Sequence, residues 1–153
     1  KKAIVKSCKI KSQIVSKDEK EKNIRMILNF GHTFAHGFEG AKNFSRKLNH
    51  GEAVLLGMIT ACWLSYQKKL LSLKDLNLIK KHYVNLNLPM KINNFFDINE
   101  IDRIINFMKK DKKNSNEKLN LILMDKIGKT SKPHAHKINV NEMKKFLSSF
   151  YKK

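Results

Sequence analysis

Three of the six histidines of this chain lie between Arg25 and Glu52. They sit in the run Arg-Met-Ile-Leu-Asn-Phe-Gly-His-Thr-Phe-Ala-His-Gly-Phe-Glu (25–39) and the later Asn-His-Gly-Glu-Ala-Val (49–54). His32 and His36 are four apart, so on a helix they stand one above the other on a single face. The polar loop 41–49 can bring His50 back beside them. Imidazole suits zinc, and a catalytic zinc takes three protein ligands and keeps one position open. A histidine pair at this spacing also occurs on ordinary helix surfaces, and spacing alone leaves both readings open.

The neighbours add a second pattern. Arg25, Asn29, His32 and His36 recur at steps of four, three and four among the apolar Ile27, Leu28, Phe30 and Phe34. Such a polar stripe is costly to bury unless its groups meet ligands.

The motif Arg25-x-x-x-Asn29-Phe30-Gly31-His32-Thr33-x-x-His36-x-x-Glu39, followed by His50-Gly51-Glu52-Ala53-Val54, resembles the signature of the 3-dehydroquinate synthases of the shikimate pathway. The resemblance runs through nearly the whole chain. Lys11 and Glu21 precede the signature at the family's distances, Leu88-Pro89 matches a Gly-Leu-Pro turn, and Lys110-Asp111-Lys112-Lys113 with 119–128 matches an Asp-Lys-Lys segment and its strand. What it implies is a mainly α fold, the C-terminal metal- and substrate-binding domain of the dehydroquinate synthase-like fold, with a small β-hairpin. Residues 1–153 are expected to form that single helical domain, with the N-terminal NAD-binding domain outside the chain.

The resemblance also implies roles. His32 and His50 match two ligands of a zinc or cobalt ion, and His36 matches the histidine that contacts the phosphate side of the substrate and transfers protons. Lys11, Arg25, Asn29 and Lys112 match the groups that hold the substrate's carboxylate, hydroxyls and phosphate, with Lys11 and Arg25 also counted in the catalytic set. Arg offers a planar fork for that task and Lys a point charge. Glu21 matches an acidic substrate-binding residue, and within the charged run 17–22 it reads equally as a solvated carboxylate. The implied reaction converts 3-deoxy-D-arabino-heptulosonate 7-phosphate to 3-dehydroquinate. NAD transiently oxidises a secondary hydroxyl, phosphate is eliminated, the ketone is reduced back, and the ring closes by an aldol step.

Two departures stand out. Ala35 replaces the family's usual Gly between the histidines, so its methyl is expected to crowd the approach of backbone to substrate. The family's third zinc ligand, a glutamate in a Glu-Val-Ile-Lys segment, and its Gly-rich cofactor turn have no counterpart here. The chain therefore reads as the C-terminal half of a larger enzyme, a cytoplasmic homodimer acting on a phosphorylated sugar acid. Rival readings are another sugar-phosphate cyclase, of the 2-deoxy-scyllo-inosose or epi-valiolone synthase type, and a non-catalytic basic binding module.

The 153 residues suffice for one core, and the formal net charge is +19. Clustered Lys and Arg would suggest nucleic acid, but here they are spread among many Asn and Ile residues without interleaved aromatics or a recognisable DNA- or RNA-binding motif. A positive field would still steer an anionic substrate. Cys8 and Cys62 lack a Cys-x-x-Cys spacing and are expected as buried, reduced thiols. The longest apolar run, 53–64, is too short to span a bilayer, so no membrane partner is expected.

The elements that must position the histidines read as helices. Apolar residues in 3–16 predict a first helix with Lys11 at the margin of the core, followed by a charged connection. A second helix carries the histidine pair to about Lys42. A third, from His50 or Gly51 to about Lys69, is apolar nearly all round and should be central. Ser72 with Asp75, and Asp97 with Glu100, mark two more helix starts. Residues 119–124 give the best strand signal, with a partner near 136–140, and an amphipathic helix over 141–151 closes the chain. His82, His134 and His136 read as surface features.

Overall fold

A computed structural model describes residues 1–110 and 117–151. Its helices are α1 (Lys2–Lys17), α2 (His32–Ala41), α3 (His50–Gln67), α4 (Leu73–Asn85), α5 (Ile101–Lys109) and α6 (Val140–Ser148), with a 3₁₀ turn over Ile24–Asn29 leading into α2. The strands are β1 (Lys118–Leu121), β2 (Met124–Lys126), β3 (Lys129–Thr130) and β4 (His136–Asn139).

α3 is the centre because it has no polar face to give to water. Leu56, Ile59 and Leu64 are fully buried, and so are two of its polar residues, Thr60 and Ser65, whose hydroxyls donate to the carbonyls of Leu56 and Ala61 at 2.7 Å. Its start is fixed by a reciprocal capping box between Asn49 and Glu52, the Asn49 N–H donating to Glu52 Oε2 at 2.9 Å.

α2 packs on α3 and α5. At the crossing with α3 the two backbones nearly touch. A methyl on Gly57 would lie 2.2 Å from the Gly31 carbonyl oxygen, and Gly31 itself has φ +81°, a left-handed conformation natural to glycine. The crossing therefore needs glycine on both sides. Ala35 faces the same seam and is fully buried in the core. Its methyl packs inward, which corrects the expectation that it crowds substrate.

α1 departs further from expectation. It buries no residue, and Ile4, Val5 and Ile10 are 68%, 53% and 48% exposed. It rests mainly on the 3₁₀ turn, so Lys11 stands on an exposed helix and not at a core margin. A stripe of apolar residues marks a face that can be buried, and among the described residues nothing covers this one. Cys8 is exposed with it, against expectation, whereas Cys62 is buried and burial pushes its thiol up to about 12.

Ser72 Oγ accepts from the Asp75 N–H at 3.0 Å at the start of α4, and Asp97 with Glu100 forms a capping box just ahead of α5. The strand expected over 119–124 is broken. β1 pairs antiparallel with β4, Leu121 opposite His136, while β2 turns through Gly128 to pair with β3, giving two small ladders. The break follows from Leu121, Ile122 and Leu123, three successive buried residues that no alternating strand can accommodate. Side chains satisfy the backbone there. The Leu123 N–H donates to Ser131 Oγ at 3.2 Å and the Met124 N–H to Ser65 Oγ of α3 at 2.9 Å. The last helix ends at Ser148 and tightens into a 3₁₀ turn over Ser149–Tyr151, with Phe146 edge-on to Phe34 of α2. Among the described residues no helix is long and apolar enough to cross a membrane.

Candidate active site

His32 and His50 are each the first residue of their helix, α2 and α3. The glycine crossing that seats α2 on α3 brings the two helix starts together, and the ring centroids of His32 and His50 stand 6.1 Å apart. His36, one turn along α2, is also 6.1 Å from His32. The three histidines of the opening motif thus form one cluster with His32 at its middle.

The hydrogen bonds around the cluster fix which nitrogens are available. His32 Nδ1 lies 3.3 Å from the Phe30 carbonyl oxygen, and His50 Nδ1 lies 3.0 Å from Glu39 Oε1. Both partners are acceptors, so each Nδ1 carries a proton and Nε2 is the nitrogen left for a ligand. Burial holds the His32 imidazole below its ordinary range, and the neighbouring His36 and His50 press the same way. A neutral imidazole with Nε2 free and Nδ1 tied to a carbonyl or carboxylate is the form that binds a metal. The donor set therefore fits a zinc or cobalt ion at His32 and His50. Among the described residues no third His, Cys, Asp or Glu completes the set.

Beside the cluster is a small pocket of about 70 Å³ whose wall includes Asn29, His32, Thr33, His36, Asn120 and His134. Thr33 Oγ1 donates to the Asn120 carbonyl at 3.3 Å, tying the first turn of α2 to β1 across the pocket floor. Asn29 Nδ2 donates to Glu21 Oε1 at 2.6 Å, so Glu21 is a tether and not a solvated carboxylate.

Arg25 and Lys11 stand apart from this wall. Arg25 Nη1 donates to the Glu19 carbonyl at 2.6 Å, and neither residue lines the pocket. Lys112 lies outside the described residues. The loop carrying Arg25 is organised by Asp18, whose carboxylate accepts from the N–H groups of Lys22, Asn23 and Arg25 at 3.0, 2.7 and 3.1 Å. The bond from Lys22, with those from Asn23 and Arg25, holds this carboxyl below its usual range.

Three contributors escape a reading of spacing alone. Asp18 looks like one charge in a charged run, although Asp is a residue that gathers successive backbone N–H groups in turns. Glu39 stands three residues after His36 on the same helix, a spacing that signals a shared face. His134 reads as a surface residue in a Lys-Pro loop and is exposed, yet it also lines the pocket. His82 is exposed on α4, as expected.

Comparisons with known proteins bear on the whole chain. The family model for the 3-dehydroquinate synthase C-terminal region matches residues 1–114. A 3-dehydroquinate synthase of Pelagibacter ubique (strain HTCC1062) is 50% identical over 151 residues, which cover 99% of this chain and 39% of that protein. One from Campylobacter jejuni (strain RM1221) is 40% identical over 126 residues, 82% of this chain and 34% of that protein. The chain thus spans between about a third and two fifths of the length of such relatives. Among solved structures, a 2-deoxy-scyllo-inosose synthase complexed with carbaglucose-6-phosphate, NAD+ and Co2+ matches with TM-score 0.68 and 24% identity, over 91% of this chain and 38% of that one. A 2-epi-5-epi-valiolone synthase from Streptomyces hygroscopicus subsp. jinggangensis 5008, with NAD+ and Zn2+ bound, matches with TM-score 0.71 and 21% identity over 91% and 36%. At these identities the structural likeness concerns the fold.

Proposed function

This chain belongs to the 3-dehydroquinate synthase family, and from that premise we propose that it is the metal- and substrate-binding half of an enzyme converting 3-deoxy-D-arabino-heptulosonate 7-phosphate to 3-dehydroquinate and phosphate. The observation that carries the proposal is the convergence of His32, His36 and His50 with the Nδ1 protons of His32 and His50 already committed. Relatives bearing the 3-dehydroquinate synthase name are 36–50% identical, against 24% and 21% for the inosose and valiolone synthases, which favours the first substrate over its rivals.

His32 and His50 would hold the zinc or cobalt ion through Nε2, and the third ligand and the NAD site would come from an N-terminal domain. A bound divalent ion supplies Lewis acidity, polarising the oxygen of a coordinated hydroxyl or carbonyl. His36 is exposed at the edge of the pocket, one helical turn from His32, where an imidazole can relay a proton between a substrate hydroxyl and solvent. Glu21 holds the amide nitrogen of Asn29, which leaves the Asn29 oxygen to accept from a substrate hydroxyl. Arg25, Lys11 and Lys112 would bind the anionic ends, Arg25 with the arms of its fork that Glu19 does not use. Much of the catalysis is then positioning of a charged substrate.

Small-molecule pockets ordinarily take about 300–1,000 Å³. The 70 Å³ behind His32 and His36 can take only part of such a substrate, as expected of one wall of a site closed by another domain. In the complete enzyme, His32→Ala and His50→Ala should each lose bound metal and turnover. Full metal content and normal turnover in either variant would sink the proposal.

A further inference from the structure

His134 is exposed, as its sequence context suggests, but it also faces two cavities. It lines the small pocket together with His32 and His36, and it also lines a wider adjoining cleft of about 500 Å³ whose walls include Ile24, Ile27, Lys129 and Lys132. It therefore stands on the ridge between the two cavities. Its backbone is left-handed, φ +62°, in a turn closed by the Ala135 N–H donating to the Lys132 carbonyl at 3.2 Å.

The two volumes define what can bind across the ridge. The inner pocket is too small for a phosphorylated sugar acid, while the cleft is large enough for the remainder. A ligand anchored at the histidines must pass over His134 to use both. The lysines on the cleft wall favour a negatively charged end there, and an imidazole N–H is a donor suited to an anionic oxygen.

We infer that His134 is a substrate-binding residue that donates a hydrogen bond to an anionic oxygen of the substrate as it extends from the histidine pocket into the adjoining cleft. The inference rests on the function proposed above. It concerns binding and assigns His134 no part in proton transfer or metal ligation.

The test is steady-state kinetics of the complete enzyme. His134→Ala should raise KM about tenfold, the low end for a hydrogen bond to a charged group, with kcat within about twofold and metal content unchanged. His134→Asn should recover most of the loss, because Asn tolerates the left-handed backbone and keeps an N–H donor. Inorganic phosphate as a competitive inhibitor separates the two anionic ends. Inhibition weakened in step with KM assigns the contact to the phosphate, and unchanged inhibition with raised KM assigns it to the carboxylate; either supports the inference. A normal KM in His134→Ala overturns it, and so does a His134→Asn enzyme no better than the alanine variant, which would mark a structural role. Failure of the parent reading is separate, since it shows as turnover surviving His32→Ala whatever His134 does.

Discussion

A histidine that offers Nε2 to a metal needs a partner to keep the proton on Nδ1, and for His50 that partner is Glu39. The carboxylate is 14% exposed while the imidazole is 63% exposed, so the more constrained member of the pair orients the freer one. Glu39→Ala should weaken zinc binding about 10–100-fold, with turnover recovered at saturating zinc, because only the orientation of His50 is lost. Glu39→Gln, which keeps an acceptor, should fall between. Competition with a chromophoric chelator measures this, and an unchanged zinc affinity in Glu39→Ala would remove Glu39 from the site. His32 and Asn29 were legible as residues that line a pocket, because their types are expensive to bury without a partner. Glu39 stood inside the same motif, but its role depends on the return of α3 to α2, which no local spacing encodes.

At the scale of the element, the glycine crossing of α2 and α3 determines where the histidines meet. Gly57→Ala puts a methyl against the Gly31 carbonyl and must push the helices apart. A cost of about 1–3 kcal/mol is expected for overpacking a seam of this kind. That lowers Tm by roughly 2–4 °C per kcal/mol for a domain of this size. Zinc affinity should fall with it, and calorimetry together with metal titration of the complete enzyme would show both. A Gly57→Ala enzyme with wild-type Tm and affinity would mean that the seam yields freely.

A second element-scale prediction concerns Glu100. Burial alone would raise its carboxyl, but the Asp97 N–H and the Lys42 ammonium, 2.9 Å away, win and hold it below 4.5. The folded state then binds this proton less readily than the unfolded chain. The resulting stability is present above about pH 4.5 and is lost as the pH falls through the lower folded value. Urea midpoints followed into acid should fall less steeply for Glu100→Gln than for wild type, and parallel curves would contradict the linkage.

Helix starts were legible because caps are local chemistry, as at Ser72 and Asp97. The break in the strand expected at 119–124 was not, because the backbone beyond the buried run Leu121–Leu123 takes its partners from Ser131 and from Ser65 of α3, the latter far away in sequence. The first helix differs from its expectation for a related reason. Its apolar stripe specifies a face and not what lies against it.

Over the whole molecule, a formal charge of +19 on 153 residues creates a field that any anionic ligand must feel. The Debye length is about 10 Å at 0.1 M salt, so the effect is readily screened. For the complete enzyme, kcat/KM should fall with rising ionic strength while kcat stays nearly level. A flat profile of kcat/KM would assign the charge to composition alone. The helical architecture around α3 was legible at this scale from hydropathy. The place of His134 in the wall of the histidine pocket was not, since it follows from pairing between segments far apart in the chain.

The exposure of α1 also divides the molecule by susceptibility. A helix that buries no side chain gains little from tertiary contact, and at this length a helix without such contact is marginal in water. Its lysines at 2, 6, 9, 11 and 17 are all cleavage points for trypsin. In brief digestion of the isolated chain, cuts should therefore fall in α1 well before the cut at Arg103 of α5, a helix that buries Ile101, Ile104, Ile105 and Met108. Protection of α1 in the longer enzyme would then report that another part of the protein lies against it.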